Sequence, residues 1–328
     1  MLGVALDPVG RVLAEHKVAS TTAAGSAALV ELLEDVVRTL EARAGSAAGA
    51  AGPATGPAAG ALLSATSVGL GLPGRFTDGI LAFAPNLPSG VGHDVAHPLA
   101  GRLGVPVVVD NDATCATLAE WQVGAAAGAS DVVLVAVGTG IGAGLVVGGQ
   151  LVRGRHGFAG EAGHLTLDPA GPPCRCGRRG CWEQYASGGA LHRLAAEAAA
   201  AGRLPAAVAQ AGGDPAAVYG EHVVAAAAAG DPASAALLDQ VGRWFGRGLG
   251  LIATLLDPEV VVVGGGLAAG APSLLHPARR ALAEDLPGQP PRPAVEVRPA
   301  QLGPQAGAIG AALLGRARPP LGAGPRSP

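Results

Sequence analysis

The sequence predicts an α/β protein of two domains, and three observations carry that reading. Val132–Val137 and Val260–Val263 are uncharged valine-rich runs with the length and composition of buried strands. A hairpin-like pattern occurs twice, at residue 1 and at residue 132, and each time strand and helix patterns follow. The chain has 328 residues, enough for two medium domains around sizeable cores. Two α/β domains related by duplication, with ligands at the cleft between them, are therefore expected.

Each element follows from its residues. Leu2, Val4 and Leu6 alternate with other residues, Asp7-Pro8-Val9-Gly10 is a turn, and Val12 resumes the extended pattern. Leu32, Leu33, Val36, Val37 and Leu40 share one face of a helix across 29–40. Residues 44–61 are almost all Ala, Gly, Pro and Ser, which reads as a flexible surface connection. A strand is expected over 67–72, ended by Pro73-Gly74, and another over 105–109, followed by a helix over 113–123. After the strand at 132–137, a glycine turn over 138–144 and a strand over 145–147 are expected. Alanine-rich helices fill much of 190–240, and 243–256 is helical. A terminal helix over 306–316 precedes a Pro-rich frayed end at 317–328. The N-terminal domain is expected over 1–112, with helix 306–316 packed on it, and the larger C-terminal domain over 113–305.

Composition narrows the function classes. Apolar residues are 49% and charged residues 14%, so the 53 glycines and 27 prolines punctuate a globular chain rather than a disordered one. The net charge is −3 with no basic stripe, which gives no reason to expect nucleic acid as a partner. Residues 132–152 carry no charge, but their six glycines and short period indicate two strands rather than a membrane span. Residues 1–20 lack the basic start and apolar run of a secretory signal, so a cytoplasmic location is expected. There, clustered cysteines are more often metal ligands than disulfides.

Four strings carry chemistry. Cys174, Cys176 and Cys181 put three of the four cysteines into eight positions, and His164 lies ten residues before them. Three thiols and one imidazole suit tetrahedral zinc in a closed structural site over 164–181. The C-x-C spacing differs from the C-x-x-C of thioredoxin-like redox pairs. Asp110-Asn111-Asp112 closes a buried strand, where ligands sit in open α/β sheets. Two readings stand there: a helix N-cap, or a carboxylate that takes a proton from an attacking hydroxyl. Gly138 to Ala143 spells Gly-x-Gly-x-x-Ala, but a strand follows it where a dinucleotide fold needs a helix. The loop is then either a plain hairpin tip or an anion site of backbone N–H groups helped by Thr139. Gly264-Gly265-Gly266 after a buried strand is either a nucleotide border or a tight turn.

Together these strings resemble the ROK family of sugar kinases and sugar-responsive repressors, over about residues 1–316. The resemblance rests on Gly138-Thr-Gly-Ile-Gly, then Gly160-Glu-Ala-Gly-His164, then Cys174-x-Cys-Gly-x-x-Gly-Cys181, in that order, with FAPNLP at 83–88 and CWEQYASG at 181–188. It implies the two-domain actin-like/hexokinase (ribonuclease H-like) fold and ATP-dependent phosphorylation of a hexose, most simply glucose, at its 6-hydroxyl. It implies Asp112 as the general base, and Gly74, Asn86, Asn111, Glu161, His164 and Glu183 as sugar contacts. It implies ATP phosphates on Gly138, Thr139 and Gly140, adenosine near Gly264, Gly265 and Gly266, Mg²⁺ with the phosphates, and a homodimer or homotetramer.

One departure stands out. The family's kinases open with a strand ending in Asp-x-Gly-Gly-Thr, and this sequence holds no such string. The expectation is that the natural start lies upstream and that Met1 is internal; a truly shortened, impaired kinase is the alternative. A sugar-sensing regulator of the same family is the rival from another class, and N-acetylmannosamine, fructose and allose are rival substrates.

Overall fold

The computed structural model describes residues 1–19, 25–50, 64–77, 80–83, 92–287 and 293–317. The chain divides into two units. The first spans Met1–Ala127, Arg153–Ala159 and the chain from Pro304; the second spans Gly128–Val152 and Gly160–Gly303.

In the first unit, β1 (Leu2–Leu6) and β2 (Val12–Lys17) form the expected antiparallel hairpin. The Asp7 carboxylate closes its turn, accepting from the Val9 and Arg11 N–H groups at 2.9 Å each and pairing with the Arg11 side chain at 2.7 Å. Helix α1 (Gly25–Ala50) follows. It runs past residue 44, where a flexible connection is expected from composition. Ala44 is buried, and the alanines that read as low complexity extend the helix instead.

Next come β3 (Val68–Leu72), the antiparallel pair β4 (Arg75–Thr77) and β5 (Ile80–Phe83), helix α2 (Ala96–Leu103), β6 (Val107–Asn111) and helix α3 (Asp112–Val123). Strands β3 and β6 pair in parallel, Val68 opposite Val107 through Leu72 opposite Asn111. A core of Val30, Leu33, Leu70, Leu99 and Val107 fills the space under α1 and α2. Among the described residues β1 pairs only with β2, and β3 only with β6; both line a cavity of about 650 Å³.

The second unit holds β7 (Val132–Val137), β8 (Ile141–Val147) and β9 (Gln150–Val152). Then follow α4 (Glu183–Ala186), α5 (Gly188–Ala200), α6 (Pro205–Gln210), α7 (Gly220–Ala228) and α8 (Pro232–Leu256). Strand β10 (Val260–Gly264), α9 (Gly266–Gly270), α10 (Leu275–Asp285) and β11 (Glu296–Pro299) complete it. The sheet order is β11-β10-β7-β8-β9, with β7, β10 and β11 parallel and β7-β8-β9 a meander. Both central strands are buried, which is why their sequences are unbroken valine runs. The glycine turn is shorter than the expected 138–144, because β8 already starts at Ile141.

Helix α11 (Ala306–Ala317) returns to the first unit and packs on α3 and β3. The approach is close: a β-carbon on Gly310 would sit 1.7 Å from the Cys115 carbonyl oxygen. This packing keeps α3 in the first unit, which continues to Ala127, past the expected boundary at 112. Among the described residues no helix is long and apolar enough to cross a membrane.

Candidate active site

In the first unit the candidate residues gather where β6 ends and α3 begins. The two readings of Asp110-Asn111-Asp112 separate here. Asn111 is the N-cap: its Oδ1 accepts from the N–H groups of Ala113 at 2.9 Å and Thr114 at 3.2 Å. Its Nδ2 donates to the Gly74 carbonyl at 3.0 Å, so two predicted site residues touch. Asp112 is left as the first residue of the helix, with its side chain exposed and, among the described residues, hydrogen-bonded only to the adjacent Ala113 N–H. Asp110 is turned to Arg153, 2.6 Å away. Cys115 is a packed core thiol; burial, then the charges of Asp110 and Asp112, pushes its ionisation far up. Asn86 lies outside the described residues.

In the second unit Glu161 precedes a short 3₁₀ turn, Ala162–His164. Positions three apart eclipse in such a turn. Glu161 Oε2 and His164 Nε2 accordingly lie 3.8 Å apart. The other ring nitrogen, Nδ1, is 3.6 Å from Cys174 Sγ and 3.9 Å from Glu183 Oε1. The donor atoms of His164, Cys174, Cys176 and Cys181 lie within 4.8 Å of one another. Cys176 and Cys181 sulfurs are 3.5 Å apart, too far for a disulfide. A tetrahedral zinc with ordinary bond lengths spaces its ligands by about 3.6–3.8 Å. The residues thus fit zinc in donor type, number and spacing. Burial pushes the Cys174 thiol up to about 12. At Cys176 burial works against ionisation, but hydrogen bonds led by the Arg178 backbone N–H bring the thiol down to about 7.

Local sequence explains this loop. Gly177 and Gly180 take positive φ, and the Gly177 N–H closes a turn on the Cys174 carbonyl at 3.0 Å. Beyond Cys181, the fully buried Trp182 stacks on Phe245 with centroids 5.3 Å apart and donates to the Trp244 carbonyl. Glu183 follows at once, so the ligand loop and the tryptophan anchor hold it in place.

The two glycine clusters come together as neighbours. Gly264 pairs with Ala136, so both clusters lie at the same ends of adjacent strands β10 and β7. The Gly138–Gly140 tip is held by the start of α5, whose Gly188 and Gly189 N–H groups donate to the Gly138 and Thr139 carbonyls. Gly140 lies against Glu183: a β-carbon there would be 2.7 Å from Glu183 Oε2. Thr139 is exposed at the tip. The sequence reading missed Arg153, Gly188 and Gly189, because no local spacing links them to their partners.

Comparison with known proteins shows the family and the fold. The ROK family pattern matches residues 3–318. The glucokinase of Streptomyces coelicolor is 37% identical over 320 residues, covering 96% of this chain and 94% of that protein. The crystal structure of a ROK family glucokinase from Streptomyces griseus, in complex with glucose and AMPPNP, is 34% identical with a TM-score of 0.78 and covers 97% of this chain and 99% of that one. The ROK hexokinase of Thermus thermophilus is 33% identical with a TM-score of 0.75, covering 96% and 98%. The fold is the two-domain actin-like/hexokinase α/β type, and the chain belongs to the ROK family.

Proposed function

We propose that the chain is an ATP-dependent glucokinase that transfers the γ-phosphoryl group of ATP to the 6-hydroxyl of glucose. The observation that carries this reading is the division of labour at the start of α3. Asn111 takes the capping role, and the carboxylate of Asp112 stays exposed at the end of a buried strand.

Asp112 accepts the 6-hydroxyl proton as that oxygen attacks phosphorus. By the family resemblance, Gly74, Asn86, Asn111, Glu161, His164 and Glu183 contribute to sugar binding. These groups offer the acceptors and donors that hydroxyls need. The N–H groups of Gly138–Gly140 and the Thr139 hydroxyl hold ATP phosphates, and Gly264–Gly266 border the adenosine. Magnesium bound with the nucleotide would supply neutralisation of phosphate charge. His164 Nδ1 and the three thiols would hold a structural zinc, which would leave Nε2 beside Glu161 for the sugar. Catalysis of this kind is positioning plus electrostatic stabilisation. The protein acts in the cytoplasm as a homodimer or homotetramer, which light scattering checks.

The test is glucose-dependent ADP release with ATP and Mg²⁺, by the parent chain and by Asp112→Asn. The variant loses phosphoryl transfer by at least about 100-fold and keeps glucose binding. Full turnover by Asp112→Asn would remove Asp112 from the base role.

A further inference from the structure

Residues 153–159 belong to the first unit, although the chain on both sides of them belongs to the second. The segment closes on itself: the Ala159 N–H donates to the Arg153 carbonyl at 3.1 Å. Its contacts with the described residues of the unit include three points. Arg153 Nε donates to Asp110 Oδ2 at 2.6 Å, with the two side chains 29% and 14% exposed. Gly157 lies against the Phe76 carbonyl, 3.2 Å from where its β-carbon would be. The Phe158 ring lies under the Arg75 guanidinium, 3.3 Å from centroid to carbon, and Arg75 is buried.

Two of these points lead to the Asn111–Asp112 corner. The Asp110 carboxylate holds Arg153 through Oδ2 while its Oδ1 accepts the Asn111 backbone N–H at 2.9 Å. Gly74, next to Arg75, receives the Asn111 side-chain amide at 3.0 Å. Asn111 is thus held by its backbone on one side and its side chain on the other. The backbone tether ends on Asp110, which Arg153 holds directly; the side-chain tether ends on Gly74, whose neighbour Arg75 lies over the Phe158 ring. Asp112 is the next residue, so the direction of its carboxylate follows from this corner.

We infer that Arg153 is a positioning residue for phosphoryl transfer, acting through Asp110 and Asn111 to aim Asp112. The inference rests on the reading of Asp112 as the base. A partly buried, charge-assisted hydrogen bond is directional, and an error of about 1 Å at a reacting group costs about 100-fold in rate. An arginine with a merely structural role would lower stability without separating turnover from binding.

The experiment compares Arg153→Met, Arg153→Lys, Asp110→Asn and the Arg153→Met/Asp110→Asn double variant, with Asp112→Asn alongside. Each is assayed for kcat with saturating ATP and for glucose affinity by calorimetry. The expected result is a 10- to 100-fold lower kcat in Arg153→Met, a larger factor than any rise in glucose Kd that comes through Asn111. The double variant falls no further than the worse single one, because both remove the same ion pair, and Arg153→Lys recovers part of the loss. A kcat for Arg153→Met within twofold of the parent, with Asp112→Asn inactive, would overturn the positioning role and leave the base standing. Full turnover by Asp112→Asn would overturn both. If Arg153→Met does not fold, the nearly isosteric Asp110→Asn decides by the same criteria.

Discussion

Gly265 is the position where the backbone of the proposed nucleotide site tolerates no side chain. It has φ 91° and ψ 166°, a conformation open essentially to glycine alone. A β-carbon there would lie 2.4 Å from the Val137 carbonyl oxygen and 2.6 Å from that residue's nitrogen and carbonyl carbon. Val137 cannot step aside, because β7 is the central strand, paired with β8 on one edge and β10 on the other. For Gly265→Ala the backbone conformation costs about 1–3 kcal/mol. Forcing the methyl into packed backbone costs about 1–3 kcal/mol more. A loss of about 2–6 kcal/mol in a unit of this size lowers Tm by about 4–24 °C. Gly270→Ala is the control, since nothing lies within 4 Å of its β-carbon position. Thermal unfolding followed by circular dichroism reads the stability, and the KM values for ATP and glucose read the site. ATP KM rises more than glucose KM, because Gly264–Gly266 border the adenosine in the proposed site. A Gly265→Ala protein that melts within about 2 °C of the parent and keeps its ATP KM would refute the reasoning.

Other outcomes follow from the same geometry. Cys176→Ser reduces bound zinc from about one per chain to near zero by elemental analysis, since a structural zinc needs all four ligands. Glucose KM then rises as Glu161, His164 and Glu183 lose their common support; unchanged metal content would sink the zinc assignment. Cys115 resists iodoacetamide in the folded protein and reacts only in denaturant, because burial both covers the thiol and disfavours its thiolate. Peptide mapping that finds Cys115 alkylated in native protein would contradict its placement under α11.

The sequence by itself determined the features that depend on neighbours along the chain. The runs at 132–137 and 260–263 could only be buried strands, because a sheet covered on both faces needs apolar residues at every position. The metal cluster was legible because all four ligands lie within eighteen residues and sulfur and imidazole have few other joint uses. Tertiary structure decided what depended on residues far apart. Asn111 and Asp112 are both good caps by type; the choice fell to Asn111, whose amide also reaches the Gly74 carbonyl. The end of α1 was misread because alanine suits a loop in low-complexity sequence and a helix when its methyl is buried, as at Ala44. Arg153 and Asp110 stand 43 residues apart, and only the return of residues 153–159 to the first unit brings their charges within 2.6 Å. Residue type sets which bonds a side chain can form, and the packed chain sets which partner is within reach.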